Sequence, residues 1–499
     1  MTDDPRPGGA PAPADSTDRL SSSSAGPAAI RGGALRVVTY LVGVVLTVGS
    51  AAALFRHLGV DDGGRYVVVI SLVAIVGGMT DAGLTAIGVR ELAVAEPGAQ
   101  RRLMGQLVGI RVVLTSLAVV GAVAFAAVAG YPSLLVLGTV VAGAGLLVQN
   151  VQQTASIPLQ VELRFGWVSV ADLLRQAVTA GAILLLVVAG AGLLPFYAVP
   201  ILAGLAALAV TVALTRGRFR LLPTYDRTAW RSLLRDTLPF ALATAIGALY
   251  LRVALIVVSL VCTAEQTGYY GVSFRVVDVL VVVPQLVVGA AFPIFARAAR
   301  DDHARLAYAS QRMFEACALL GAGCAVALAG GAGVVIDVVG GSSFGPAADV
   351  LRVQGVALAL AFVSALTSYL MLSLGMYRQL LLTSLTGFAA NVGLVTLLAT
   401  THEAIGAAAA TVASEAVLVG TGLVLLARTH AGVRPTFGRI PRIVAAAGLA
   451  CLALLLPLPG LAVMAVASLA FVVLTLLLRA VPEELLVEVR RRWRPAAAG

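Results

Sequence analysis

The chain has 499 residues, of which 59% are hydrophobic and only 12% are charged, and its mean hydropathy is +0.96. A globular core cannot bury that much apolar side chain, so the composition excludes an ordinary water-soluble protein and indicates an integral membrane protein. The formal net charge is +10, and all 35 basic residues are arginine. Because these arginines cluster in alternate connections between apolar segments, the charge reflects membrane topology and not a nucleic-acid partner.

The first 33 residues are rich in Pro, Gly, Ser and Asp, and they contain too little apolar side chain to fold. We therefore predict that residues 1–33 form a disordered tail. The four cysteines lie inside apolar runs, without a CxxC spacing or a flanking histidine. This pattern predicts neither a disulfide framework nor a metal site, and nothing in the sequence indicates a cofactor.

Apolar runs of about 17 to 27 residues follow the tail, and at 1.5 Å per residue they match a hydrocarbon core of roughly 30 Å. We predict an all-α integral membrane protein with about 14 transmembrane helices. The predicted spans lie near residues 34–54, 66–89, 107–129, 134–157, 171–190, 196–215, 238–262, 270–296, 313–336, 349–373, 380–399, 405–427, 441–457 and 461–478.

The connections between these spans differ sharply in arginine content. The connections on the side of the two termini, together with the terminal tails, contain 28 arginines, whereas the connections on the opposite side contain three. The positive-inside rule therefore predicts that both termini are cytoplasmic. No connection exceeds about 22 residues, so any function must be carried by the helices.

The sequence also repeats weakly. A span is followed by GVDDGGRYVVVISL near residue 60, and the seventh span is followed by CTAEQTGYYGVSFRV, so that Gly64-Arg65-Tyr66 corresponds to Gly268-Tyr269-Tyr270. Such a repeat favours two six-helix lobes, 34–215 and 238–427, with two extra helices at 428–478. Residues 216–237 are then an Arg-rich cytoplasmic linker, and residues 479–499 a basic cytoplasmic tail.

Three stretches carry a resemblance to a known family. FRHLGVDDGGRYVVV, TDAGLTAIGVRELA and TGYYGVSFRVVDVLVVVPQLVVGAAFPIFA resemble polysaccharide-transporter flippases of the multidrug/oligosaccharidyl-lipid/polysaccharide superfamily. The resemblance implies two lobes around a central cavity that opens alternately to each side of the cytoplasmic membrane. It also implies a lipid-linked oligosaccharide substrate, usually on undecaprenyl pyrophosphate, and contact with membrane lipids. The family often carries an acidic residue in the seventh helix, where this chain has Ala254.

Four arginines inside the spans are candidates to bind the phosphates, because a guanidinium donates paired hydrogen bonds to phosphate oxygens. Arg252 lies too deep in its span to reach either end easily, and the alternative is a structural ion pair. Arg275 lies three residues before Asp278, a spacing that also suits an internal ion pair. For Arg111 and Arg175, near the cytoplasmic ends of their spans, snorkelling to the interface is the alternative.

Three carboxylates inside the spans are candidates for ion coupling, because burial disfavours their charged form and allows a proton or sodium ion to bind. They are Asp81, Asp278 and Glu415. For Asp81 the alternative is a capping or packing role beside Gly83. The pair Gly77-Gly78 is expected to allow a bend in the helix.

Uncharged polar side chains inside the spans are expected to line the cavity or to hydrogen-bond between helices. These candidates are Gln149, Asn150, Gln153 and Asn391.

Two other functions compete with the flippase. A multidrug antiporter of the same superfamily often has a carboxylate in its first helix, which is absent here, and usually has twelve helices. A membrane glycosyltransferase or polymerase would suit the pair Asp61-Asp62, but the loop of about eleven residues that holds it is too short to shape an active site. We therefore predict no enzyme and no catalytic residue.

Overall fold

The computed structural model describes residues 25–81, 83–162, 164–215 and 222–481. Over these ranges the chain consists of helices and short connections, without a β-strand. The helices are α1 (Ala25–Asp81), α2 (Leu84–Val94), α3 (Pro97–Val128), α4 (Ser133–Ala155), α5 (Ile157–Val161), α6 (Phe165–Val188), α7 (Leu193–Thr215), α8 (Arg227–Val261), α9 (Ala264–Leu280), α10 (Val282–Asp301), α11 (His303–Val339), α12 (Ala347–Ser373), α13 (Tyr377–Thr429), α14 (Ile440–Ala450) and α15 (Gly460–Leu477).

Three predicted regions fall wholly or partly outside these ranges. Residues 1–24 of the predicted tail, 216–221 of the predicted linker and 482–499 of the predicted basic tail lie outside the described residues. Helix α1 begins at Ala25, earlier than the predicted start of the first span at residue 34.

Ten helical segments are long and apolar enough to span a membrane, which confirms an all-α multi-pass membrane protein. Two of them, Val42–Val94 and Tyr377–Thr429, contain 53 residues each, and a straight helix of that length, about 80 Å, would far exceed the bilayer core. Both are broken internally. The first breaks at Gly59, whose φ of 72° lies in the left-handed region that favours glycine, and the second at His402 and Glu403. Ala245–Val261 and Ile440–Leu455 are shorter apolar helices.

The paired glycines of the sequence repeat touch each other. A Cβ atom on Gly64 would lie 2.7 Å from the backbone nitrogen of Gly268, and a Cβ atom on Gly268 would lie 2.3 Å from the carbonyl oxygen of Val60. Glycine at both positions is what allows this approach. The two halves of the chain therefore meet at the connections after Gly59 and before Ala264. These connections contain few arginines, and we call this end of the molecule the arginine-poor end.

Two further contacts hold the same end together. Arg56 donates a hydrogen bond of 2.8 Å from Nη2 to the carbonyl oxygen of Asp337 on α11. The ring of Phe55 packs edge-on against that of Phe344, with centroids 5.8 Å apart. The first half of the chain thus contacts the second by backbone, hydrogen bond and aromatic packing.

Gly77 and Gly78, where a bend is expected, do not interrupt the helix. Helix α1 continues through both residues to Asp81, and the chain breaks at Gly83, whose φ is 80°. The two glycines instead allow close packing, because a Cβ atom on Gly78 would lie 2.3 Å from Cβ of Ala248 on α8. Their small size therefore serves contact between helices.

The last two helices pack on α11, and a buried carboxylate ties the connection that precedes them to the same helix. Glu315 Oε2 on α11 accepts hydrogen bonds of 3.0 Å from Arg312 Nη1 and 2.6 Å from Arg439 Nη1. Gln311 donates to the carbonyl oxygen of Thr436 and accepts from its backbone nitrogen. We call this group the Glu315 clamp. Only the Arg312–Glu315 spacing is visible in the sequence, because Arg439 is distant from both residues in the chain.

Candidate substrate cavity

Two arginines share one carboxylate between helices α8 and α9. Arg252 Nη2 lies 3.2 Å from Asp278 Oδ2, and Arg275 Nη1 lies 3.6 Å from the same oxygen. The guanidinium of Arg252 also lies 5.7 Å from the centre of the Phe274 ring. With two cations and one anion, this cationic cluster keeps a formal charge of +1. Its side chains are 21 to 36% exposed, so they remain accessible.

Arg275 also lies at an apolar groove between α1, α9 and α11. The groove has a volume of about 350 Å³. Apart from Arg275 and Thr47, its described lining residues are all Val or Leu, among them Val44, Val279 and Leu328. An apolar groove with a guanidinium at it is complementary to a lipid with an anionic head group.

Arg111 does not snorkel to an interface. Its side chain is only 1% exposed, and its Nη2 atom forms an ion pair with Asp81 Oδ1. The same atom donates to Thr85 Oγ1 at 2.9 Å, and Nη1 donates to Gln153 Oε1 at 3.2 Å. A buried guanidinium is stable only with such partners. In this conformation Arg111 is not exposed to a phosphate, so its predicted phosphate contact remains a prediction.

Asp81 lies at the edge of a pocket in the first half of the chain. The pocket is formed by α1, α4 and α7 and has a volume of about 400 Å³, within the roughly 300–1,000 Å³ usual for small-molecule sites. Three of the predicted polar residues line it, namely Gln149, Asn150 and Gln153. We call it the polar pocket. Asp81 is 47% exposed, whereas its partner Arg111 lies behind it.

The amides of the polar pocket differ in availability. Asn150 is buried, and its Nδ2 donates to Thr80 Oγ1 and Thr115 Oγ1, so it serves the helix contacts proposed as the alternative role. Gln153 uses Oε1 for Arg111, and its Nε2 donates to no atom among the described residues. Gln149 makes no hydrogen bond within the same part of the chain. These two side chains can therefore bind a ligand.

Glu415 and Asn391 line a second, smaller cavity in the other half, of about 60 Å³. Glu415 Oε1 accepts a hydrogen bond of 2.7 Å from the Tyr250 hydroxyl, and Ser364 lies beside the carboxylate. Glu415 Oε2 and Asn391 Oδ1 are buried and have no hydrogen-bond partner among the described residues. The sequence gives no signal for Tyr250, because only the folded structure brings α8 against α13.

The remaining candidates lie apart from these groups. Arg175 Nη2 lies 3.7 Å from Asp172 Oδ1 on the same helix, α6. Asp62, one of the enzyme-like pair, accepts a hydrogen bond of 2.8 Å from Arg65 Nη1, one turn later. Within the described chain, no group of three or more His, Cys, Asp and Glu side chains is arranged to hold a metal ion.

A family model described as "Polysaccharide biosynthesis protein" matches residues 53–349, more than half of the chain. The chain belongs to this family. The matched range includes both the polar pocket and the cationic cluster, whereas Glu415 lies beyond it. A search among curated proteins gives no significant match.

Solved structures show which fold this family member has. It is similar to the lipid II flippase MurJ in an inward closed conformation, with a TM-score of 0.70 and 10% identity over 90% of this chain and 99% of that one. It is also similar to a MATE-family multidrug transporter of the MOP superfamily, both inward-facing (TM-score 0.56, 13% identity, 79% and 98% covered) and outward-facing (0.54, 16%, 82% and 96%). These neighbours are a flippase and transporters, not enzymes. The polysaccharide biosynthesis protein thus has the fold of a membrane flippase or transporter.

Proposed function

We propose that this polysaccharide biosynthesis protein is a flippase for a lipid-linked oligosaccharide or polysaccharide repeat unit. It moves a polyprenyl-pyrophosphate carrier with its sugars from the inner to the outer leaflet of the cytoplasmic membrane by alternating access. The observation that carries the proposal is the cationic cluster, in which two accessible guanidiniums share one carboxylate within the membrane-spanning helices.

The proposal includes the predicted architecture of fourteen helices with both termini in the cytoplasm. Residues 34–215 and residues 238–427 form the two lobes, and residues 216–237 link them. Residues 428–478 form two further helices. The internal breaks of the two 53-residue segments and the two shorter apolar helices support this count. The Gly64–Gly268 contact is then the closed outer end of the cavity.

Phosphate chemistry supports the assignment of Arg252 and Arg275. A pyrophosphate is multiply anionic, and crossing the bilayer requires that protein groups replace its lost hydration. The surplus positive charge of the cationic cluster supplies such groups, and the adjoining apolar groove suits the isoprenoid chain. We keep Arg111 and Arg175 as phosphate contacts for other conformations of the cycle.

The proposal is tested by reconstituting the full chain in vesicles with a polyprenyl pyrophosphate that carries a fluorescent disaccharide. Transfer between leaflets is scored with a membrane-impermeant quencher. Arg252→Ala should lower the rate at least about tenfold, the effect of removing a charge-assisted contact. The matched control is Arg352→Ala, which removes an exposed arginine paired with Asp349 on α12. Wild-type protein without transfer, or an Arg252→Ala rate equal to wild type, would refute the proposal.

Among the three carboxylates proposed for coupling, the contacts favour Glu415. Asp81 and Asp278 each form an ion pair with an arginine. Glu415 is buried beside a tyrosine hydroxyl and has no cationic partner among the described residues. A proton or a sodium ion would neutralise it, and either ion is compatible with the contacts.

A cation-coupled multidrug antiporter is the second candidate, favoured by the likeness to the MATE transporter fold. The surplus positive charge at Arg252 and Arg275 speaks against it, because cationic drugs would be repelled there. Transport of a cationic dye by the same vesicles, without transfer of the lipid-linked saccharide, would favour the antiporter.

A further inference from the structure

We propose that the polar pocket binds the sugar of the substrate nearest the pyrophosphate, and that Asp81 selects a neutral sugar there against a uronic or other acidic one. This inference rests on the proposed function and adds the substrate's charge class. It follows from a difference between the two sites. The cationic cluster exposes guanidiniums, whereas the polar pocket exposes a carboxylate and keeps its guanidinium behind the wall.

The wall of the polar pocket has the hydrogen-bonding pattern of a sugar site. Asp81 uses Oδ1 for Arg111 and Thr85, which leaves the exposed carboxylate able to accept from sugar hydroxyls. Gln153 Nε2 can donate, and Gln149 can both donate and accept. Val73, Leu146 and Pro200 supply apolar surface for the C–H face of a ring. No basic side chain is present among the described residues that line the pocket.

The position of Asp81 is fixed by its partners. Arg111 is fully buried and bonds Asp81, Thr85 and Gln153 at once, so in this conformation it positions Asp81 and does not itself face the pocket. Because Arg111 lies behind the wall, the exposed face of the pair is anionic. A carboxylate on the bound sugar would lie closer to Asp81 than to Arg111, and like charges placed together disfavour binding.

The distance between the two sites suits one substrate. Gly78 on α1 contacts Ala248 on α8. Arg252 is one turn beyond Ala248 on the same helix face, and Asp81 is one turn beyond Gly78. Since the two helices run in opposite directions under the proposed topology, the Cα atoms of Arg252 and Asp81 are about 10 Å apart along the helix axes, at about 1.5 Å per residue. A pyrophosphate and its first sugar span a distance of this order.

The test compares two probes in vesicles that contain the full chain. One is polyprenyl pyrophosphate linked to N-acetylglucosamine, which is neutral, and the other is the same carrier linked to glucuronic acid. The neutral probe should be transferred at least about tenfold faster. In the double variant Asp81→Asn, Arg111→Gln, which removes both charges of the pair together, the ratio of the two rates should fall towards one. Asp349→Asn, which alters an exposed paired carboxylate on α12, should keep the wild-type ratio.

A second variant avoids the ion pair altogether. Gln149→Leu removes an amide from the wall, and it should slow the neutral probe about fivefold, the effect of one hydrogen bond. Equal wild-type rates for the two probes, an unchanged ratio in the folded double variant, or a neutral rate unaffected by Gln149→Leu would overturn this inference alone. Transfer of neither probe would overturn the proposed function together with it.

Discussion

Replacing Gly64 with valine should prevent closure of the arginine-poor end. A Cβ atom at this position would lie 2.7 Å from the Gly268 nitrogen and 2.9 Å from the Ala264 carbonyl oxygen, whereas ordinary contact begins at 3.4 Å. The backbones of α1 and α9 must therefore separate by about 0.7 Å for the first carbon alone. Overpacking of this kind costs about 1–3 kcal/mol. Since both neighbours are backbone atoms, no side-chain rotation can relieve the clash.

The cost falls only on the conformation in which this end is closed. A penalty of 1–3 kcal/mol lowers the ratio of closed to open molecules by roughly 5- to 150-fold. Spin labels on Asp61→Cys and Ala264→Cys, both exposed positions at this end, report the separation of the halves by pulsed electron resonance. The Gly64→Val protein should show a longer distance distribution and slower transfer of the lipid-linked saccharide.

The matched control is Gly49→Ala in the same helix, where a Cβ atom meets nothing within 4 Å. It should leave both the distance distribution and the transfer rate as in the wild type. A Gly64→Val protein that keeps the wild-type distances and rate would show that the glycine contact does not limit closure.

Four further substitutions, in three experiments, test the polar contacts between helices. Asp81→Asn should lower thermal stability more than Arg111→Gln does, because it leaves a guanidinium that is 1% exposed without its anion. Such a loss costs about 3–5 kcal/mol. Equal melting temperatures of the two variants would contradict this. Glu415→Gln should make saccharide transfer independent of an imposed proton or sodium gradient, as measured in vesicles, and a retained dependence would remove Glu415 from coupling. Glu315→Gln should weaken the Glu315 clamp and increase proteolysis in the connection around Arg439, and an unchanged digestion pattern would count against the clamp.

Local sequence patterns predicted the parts of the fold that depend on one helix or one turn. Hydropathy located the membrane segments. The Gly-rich stretch after the first predicted span contains Gly59, where the structure breaks α1. The spacing of Arg275 and Asp278 suited an ion pair, the alternative to phosphate binding alone, and the pair forms at 3.6 Å. The repeat matched Gly64 with Gly268 by sequence, and the structure adds that the two touch.

Side-chain contacts between different helices could not be predicted from the sequence. Nothing in the chain indicated that Arg252 reaches Asp278 on the next helix, or that Tyr250 reaches Glu415 across 165 residues. Arg111 was expected near an interface because its depth was counted along its own helix alone. Its environment is set by Asp81 on a different helix, and only the packing of α1 against α3 shows this.

The burial of Arg111 has a consequence for how the protein enters the membrane. Asp81 precedes Arg111 by 30 residues, so the counterion is synthesised first and is already inserted when the arginine arrives. An unpaired arginine inside the bilayer is costly to insert, and pairing with the carboxylate of Asp81 offsets that cost. We therefore expect α1 and α3 to assemble during synthesis, before the second half of the chain leaves the ribosome.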